Sequence, residues 1–242
     1  MSDPKTAAGF RQHVQEKRYF IMRQPVVDLE TMQPIHDEWL VRFEADEGLV
    51  DMLRPAEISG AIATLDVSML EQAIRTLNLD RRRLPIAVNL SGASMLEPPF
   101  EEALFYALSK QKTAPERLII ELTETWDMRD LTRAQHILSR LSAAGHPLCL
   151  DDVGAGAASI RYLRAFETQW LKIDGDFVQA AMHRERDLVI LKNLLNLRQD
   201  LNLKIIAEGV EDQAVITFVK SLGFDAAQGY ALGTPSREPI RK

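Results

Sequence analysis

Residues 118–152 read LIIELTETWDMRDLTRAQHILSRLSAAGHPLCLDD, and their pattern sets the fold class. Leu118–Leu122 is a short apolar run with Ile and Leu at both parities, as in a strand buried on both faces. Leu131, Ala134, Leu138 and Leu141 then recur at spacings of three and four, which puts one apolar stripe along one side of a helix. Gly145 follows and can stop that helix, because glycine accepts a positive φ at little cost. Pro147–Leu150 is the next apolar run, and it ends on Asp151 and Asp152. Strand, amphipathic helix, strand is the repeating unit of a parallel sheet.

The unit extends in both directions. Further apolar runs lie at Tyr19–Val27, Ile35–Phe43, Leu84–Leu90, Trp170–Ile173, Lys204–Ala207 and Phe224–Ala227. Helical stripes recur at Ile190, Leu194, Leu197 and Leu201, with Asp187 as a starting residue, and over Val215–Leu222 before Gly223. Eight strand-like runs in 242 residues suit one (β/α)8-type barrel, which typically needs about 250 residues. The competing open doubly wound sheet usually has a Gly-rich turn after its first strand. Here the first run passes Gln24-Pro25 and meets Asp28-Leu29-Glu30 without a glycine cluster. The expected class is therefore α/β, a TIM (β/α)8-type barrel. Residues 1–18 read as a polar lead-in segment and 19–242 as a single barrel domain.

Composition narrows the function. The chain is 46% hydrophobic and 26% charged, ordinary for a globular protein. With 29 basic and 35 acidic residues its net charge is −6, which argues against holding a nucleic acid polymer by bulk charge. Arg81-Arg82-Arg83 reads as a solvated turn. The lone Cys149 excludes an internal disulfide and a Cys-rich zinc site; it reads as a small core residue and suits a reducing cytoplasm. No apolar run reaches eighteen residues, and the N-terminus lacks a signal-peptide core, so no membrane span is expected. The five histidines are scattered without ligand spacing, and Trp126 and Trp170 read as packing residues.

Most of the strand-like runs end on polar residues. They are Asn89, then Glu121 with Glu124 beyond it, Asp151-Asp152, Lys172 with Asp174, Glu208 with Glu211, and Gln228. Each alone is an ordinary turn former or cap. In a parallel barrel, however, all strand C-termini open on one face, where active sites form. Carboxylates crowded there repel one another unless they share cations. Oxygen ligands without a His or Cys cluster favour Mg²⁺ or Mn²⁺ over Zn²⁺. The pattern alone thus points to a metal-dependent phosphoryl-transfer or lyase-type site.

At these same residues the sequence resembles the EAL domain family, the phosphodiesterases of cyclic dimeric GMP (cyclic di-GMP). The stretches that carry the resemblance are RQPVVDL at 23–29, EWLVR at 38–42, VNLS at 88–91, IELTE at 120–124, LDDVGAG at 150–156, LKIDGDFV at 171–178, IAEGVE at 206–211 and QGYALGTP at 228–235. The resemblance implies a modified barrel whose first strand runs antiparallel to the rest. It implies a first metal on Glu38, Asn89, Glu121 and Asp151, and a second on Asp151, Asp152 and Glu208. Two Mg²⁺ or Mn²⁺ ions are implied, with inhibition by Ca²⁺. Lys172 would contact the attacking water, with Glu208 and Glu211 as further catalytic groups. Lys172 and Glu208 both qualify as proton acceptors by residue type. Gln24, Leu40, Arg42, Asp174 and Gln228 would meet the substrate, and Glu124 would anchor the loop after Asp151-Asp152. The implied partners are cyclic di-GMP, a second copy in a homodimer and a regulatory protein.

Three departures from the family pattern stand out. Trp39 replaces the alanine of the name-giving motif and reads as a packing residue on the strand's other face. The loop DDVGAGAASI replaces the usual DDFGTGYSSL, losing a hydroxyl and an aromatic anchor, a change expected to make it more mobile. The segment after Arg54-Pro55-Ala56-Glu57 is shorter than usual, and no sensor or cyclase domain is seen, so regulation is expected from a partner, from expression or not at all. The altered loop motivates an alternative reading, a weak or inactive cyclic di-GMP receptor. A more distant one is a lyase using Lys172 as a Schiff-base amine.

Overall fold

The computed structural model describes residues 3, 5–43, 49–123, 131–154 and 159–238. Nine strands are present among them: β1 (Tyr19–Asp28), β2 (Pro34–Phe43), β3 (Ile86–Leu90), β4 (Leu118–Leu122), β5 (Leu148–Val153), β6 (Trp170–Ile173), β7 (Lys204–Ala207), β8 (Ala226–Ala227) and β9 (Ser236–Arg237). The helices are α1 (Ala7–Gln15), α2 (Leu49–Ile58), α3 (Ile62–Leu79), α4 (Gly92–Leu96), α5 (Phe100–Leu108), α6 (Leu131–Ala143), α7 (Ser159–Ala165), α8 (Gly175–His183), α9 (Glu185–Leu201) and α10 (Gln213–Leu222). Strands β2 to β8 run parallel in chain order. β1 pairs antiparallel with both β2 and β8 and closes the ring. The expected eight-stranded barrel with a reversed first strand is therefore present. No helix among the described residues is long and apolar enough to cross a membrane.

Local chemistry explains the element ends. Gly145 (φ 91°) follows α6 and Gly223 (φ 81°) ends α10, as their positions predict. Asp212 caps α10 by accepting from the Ala214 and Val215 N–H groups. α9 begins two residues before Asp187 and stops at Asn202, which adopts the left-handed conformation.

Two elements depart from the simple pattern. β5 does not end at Leu150 but continues to Val153, with a register shift between those residues and Asp152 at φ 55°. A regular strand would send Asp151 and Asp152 to opposite faces. The irregularity lets the second carboxylate turn back towards the first. On its other side, β1 pairs with β8 through Val27 and Asp28 and with β9 through Met22 and Arg23. Residues 228–235 leave that ladder beside Gln24 and Pro25, where proline has no N–H to offer it.

The main core lies between barrel and helices. Ile86, Val88 and Leu90 of β3 and Leu118, Ile120 and Leu122 of β4 share it with Leu77, Leu104, Leu138 and Leu141 of the helices. Phe10 and Val14 of α1 join it as well. Trp39 lies in this outer core at 1% exposure, with the Arg83 guanidinium 5.6 Å from its ring centre. Arg83 also grips Glu238 with two hydrogen bonds of 2.8 and 2.6 Å, which ties the end of the C-terminal strand to the segment before β3. Alternate residues of the same strands face the lumen, where Val26, Ile206 and Ala226 and then Ala87, Ile119 and Cys149 form two small clusters, each packed against Trp170.

Asp66 of α3 is buried beneath the start of α4. Its Oδ2 accepts from the Ser91 N–H at 2.9 Å and the Ser94 hydroxyl at 2.6 Å. Burial pushes its carboxyl from 3.8 up to about 7, with Glu57 adding a nearby charge. The folded state thus holds the proton more tightly than the unfolded state, so stability falls as pH rises from about 4 through 7. Asp66→Asn keeps an acceptor oxygen without the charge. Thermal melts at pH 5 and pH 8 should show the wild type losing roughly 5 to 10 °C more than this variant. Equal losses would remove Asp66 as the source.

Candidate active site

Eight polar side chains, six from different strands and two from the residues that follow β7 and β8, meet at one level of the lumen, towards the strand C-termini. They are Gln24, Glu38, Asn89, Glu121, Asp151, Lys172, Glu208 and Gln228. Lys172, 1% exposed, stands at their centre. Its Nζ lies 2.8 Å from Glu208, 3.0 Å from Asp151, 3.1 Å from Glu38 and 3.4 Å from Glu121. Amides complete the layer. Gln228 donates to Glu38 at 2.7 Å, Asn89 donates to the other Glu38 oxygen at 3.1 Å, and Gln24 donates to the Gly233 carbonyl at 3.2 Å.

Two glycines set the position of Glu208. A Cβ on Gly175 would lie 2.9 Å from the Gly209 Cα, and Gly209 itself has φ 62°. The start of α8 and the turn after β7 can therefore touch, which brings Glu208 beside Lys172.

The layer holds more acid than base. Burial alone would lower the Lys172 ammonium, but Asp151, Glu121, Glu208 and Glu38 together hold it well above its ordinary value. Burial raises Glu121 and Asp151, against the pull of Lys172. Burial likewise pushes Glu208 up to about 8, and burial with the Asp151 charge pushes Asp152 to about 6. Only Glu38 falls, because Lys172, Gln228 and Asn89 outweigh its burial. One ammonium is thus too little positive charge for these carboxylates.

The same residues suit a divalent cation. One oxygen from each of Glu38, Glu121 and Asp151 lies within 4.8 Å of the others, and so does one from each of Asp151, Asp152 and Glu208. Asp151 belongs to both groups. Glu121 Oε1 and Asn89 Oδ1 are buried with no hydrogen-bond partner among the described residues. Asp151 Oδ1 has the Lys172 ammonium at 3.0 Å but no hydrogen bond of good angle. Such orphaned oxygens are costly unless something coordinates them. An all-oxygen donor set is that of Mg²⁺, Mn²⁺ or Ca²⁺.

A cavity of about 290 Å³ leads to this layer. Gln24, Leu40, Glu211 and Gln228 line it. Arg42 is not on its wall; the Arg42 guanidinium donates to the Val41 carbonyl at 2.7 Å. Asp174 accepts from the Phe177 N–H at 3.0 Å and caps α8. Glu124 and most of the altered loop, residues 155–158, lie outside the described residues. Tyr230, 65% exposed, is a wall residue that sequence reasoning left without a role, although it lies inside the quoted stretch QGYALGTP.

Comparison with known proteins bears on the fold and the family. The family model described as EAL domain matches residues 8–235. The chain is 34% identical over 233 residues to the bifunctional diguanylate cyclase/cyclic di-GMP phosphodiesterase MucR of Pseudomonas aeruginosa, covering 93% of this chain and 34% of that protein. It is 27% identical to the cyclic di-GMP phosphodiesterase PdeF of Escherichia coli, covering 96% and 33%. The chain thus spans about a third of the length of these curated relatives. Among solved structures, the PaMucR phosphodiesterase in complex with c-di-GMP superposes with a TM-score of 0.82 at 33% identity, covering 94% of this chain and 96% of that one. The FimX EAL domain of Pseudomonas aeruginosa bound to c-di-GMP gives 0.83 at 24% identity over 97% of each chain, a likeness of fold. By motif order, barrel topology and this match over most of its length, the chain belongs to the EAL domain family.

Proposed function

We propose that the protein hydrolyses one phosphodiester of cyclic di-GMP to the linear dinucleotide pGpG, with Mg²⁺ or Mn²⁺. The observation that carries this reading is the pair of carboxylate triads sharing Asp151 beside a buried lysine. Glu38, Asn89, Glu121 and Asp151 would hold one ion, and Asp151, Asp152 and Glu208 a second. When bound, divalent ions lower the pKa of a water and offset charge on the phosphorus oxygens.

The chain's own groups divide the remaining work. Lys172, kept as an ammonium by its four carboxylates, has no lone pair, so it orients a water or stabilises charge and does not take a proton. Glu208, 2.8 Å away with its side chain 20% exposed, also lines the cavity, which supports a reading in which it accepts the proton once a bound cation has displaced its own. Gln24, Leu40, Gln228 and Tyr230 form the wall against which a nucleotide would rest. A receptor without turnover needs no pair of intact triads, so their presence favours the enzyme.

Incubation with cyclic di-GMP and Mn²⁺ should yield pGpG by chromatography, and Glu38→Ala should lower the rate by more than about 100-fold, beyond the usual loss for an outer partner of a ligand. Intact nucleotide after prolonged incubation, with tight binding by calorimetry, would establish the receptor instead. Millimolar Mg²⁺ or Mn²⁺ should raise the melting temperature by about 5 to 10 °C. Ca²⁺ should stabilise similarly without supporting turnover, and Glu121→Gln should reduce each rise. Lys172→Met leaves the carboxylates without their internal cation. It should melt well below the wild type in chelator, by on the order of 3–5 kcal/mol, and recover part of the loss in Mn²⁺. A variant as stable as the wild type in chelator would contradict the charge argument.

A further inference from the structure

A second and larger cavity, about 670 Å³, opens at the opposite end of the barrel. That volume is in the range of small-molecule sites. Its inner wall includes Ile119, Trp170 and His36, which lie at the end of the lumen away from the acidic mouth. His36 is 2% exposed, and its ring meets the Trp170 ring edge-on at 5.6 Å. His36 Nε2 is buried with no hydrogen-bond partner among the described residues. An unsatisfied buried nitrogen beside an indole, behind a wall of otherwise apolar side chains, gives an entering ring a hydrogen bond to gain when the imidazole turns towards it.

The rim decides the charge of the occupant. Asp28, Glu30, Glu116 and Asp225 stand there against Lys204 and Lys220. Asp28 uses only Oδ1, towards Glu30 and Thr31 of its own turn. Glu30 and Glu116 are exposed and make no ion pair among the described residues. Lys204 is drawn over the Trp170 ring, 5.1 Å from its centre. Asp225 also has the Arg198 guanidinium at 3.9 Å, so the rim carries four carboxylates against three cationic groups, and Glu30 and Glu116 are left without an ion pair among the described residues.

We propose that this cavity binds a small aromatic amine. Its ring would lie against Trp170 and Ile119 with a polar ring atom at His36, and its ammonium would face Glu30 and Glu116. The proposal does not depend on the chemistry assigned to the acidic mouth.

Three indoles that differ in charge test it on the full chain: tryptamine, indole and indole-3-propionate. Titrations followed by the assigned Ile35 and Ile119 methyl signals should give a sub-millimolar Kd for tryptamine, weaker binding of indole and at least about tenfold weaker binding of the propionate. The exposed double variant Glu30→Lys/Glu116→Lys should weaken tryptamine by about tenfold and leave indole unchanged. His36→Phe keeps an edge contact with Trp170 but removes the nitrogen, and should weaken indole and tryptamine alike several-fold. No shift with any indole at 5 mM, equal affinity for all three, or an unchanged tryptamine Kd in either variant would overturn the proposal. So would shifts confined to Leu40 at the opposite mouth.

Discussion

One buried ammonium among four carboxylates organises this barrel. Lys172 cannot leave the centre without exposing like charges to one another across the lumen, and none of the carboxylates can be moved alone without unbalancing the rest. Their strands are β2, β4, β5, β6 and the end of β7, so the contact also sets the stagger of more than half the wall. The arrangement is tolerable as a resting state because protons make up the missing positive charge. It is suited to a divalent ion for the same reason, since the ion would replace those protons.

Two irregularities in an otherwise regular sheet shape the mouth. The register shift in β5 places consecutive aspartates on the same side, which a straight strand cannot do. The departure of residues 228–235 from the β1 ladder brings Gln228 inward and Tyr230 to the wall. Pro25 stands where that ladder is interrupted, so little pairing is lost there.

Much of this was legible in the residues themselves. Apolar parity located every strand of the ring because each is buried on both faces, and the polar residues at most strand ends marked the mouth. The reversal of β1 was not readable from periodicity, since an apolar run has no direction; the family motifs supplied it. The extension of β5 past Leu150 was missed because Asp151-Asp152 reads as a turn unless the bulge is known. Arg42 and Asp174 carry local bonds that their motif positions do not announce. Each has a backbone partner nearby, and that local bond governs its placement in the structure. β9 is two residues long and exposed, and carries no apolar signal at all. The second cavity is not legible in the sequence, because Asp28 and Glu30 lie far from Glu116 along the chain and all three look like parts of solvated turns.

The grip of Arg83 on Glu238 has a bearing on how the chain reaches this state. The two residues are 155 positions apart, and the Gln228–Glu38 bond beside Lys172 spans 190. Until residues 226–238 have been synthesised, β1 keeps one edge unpaired and Arg83 has only Asp37, 3.5 Å away, in place of its two-bond partner Glu238. The nascent barrel is therefore an open, curled sheet with a sticky border, and its closure is a late, slow, long-range event. A ribosome pausing before that segment would prolong the interval in which neighbouring chains could pair along the open edge.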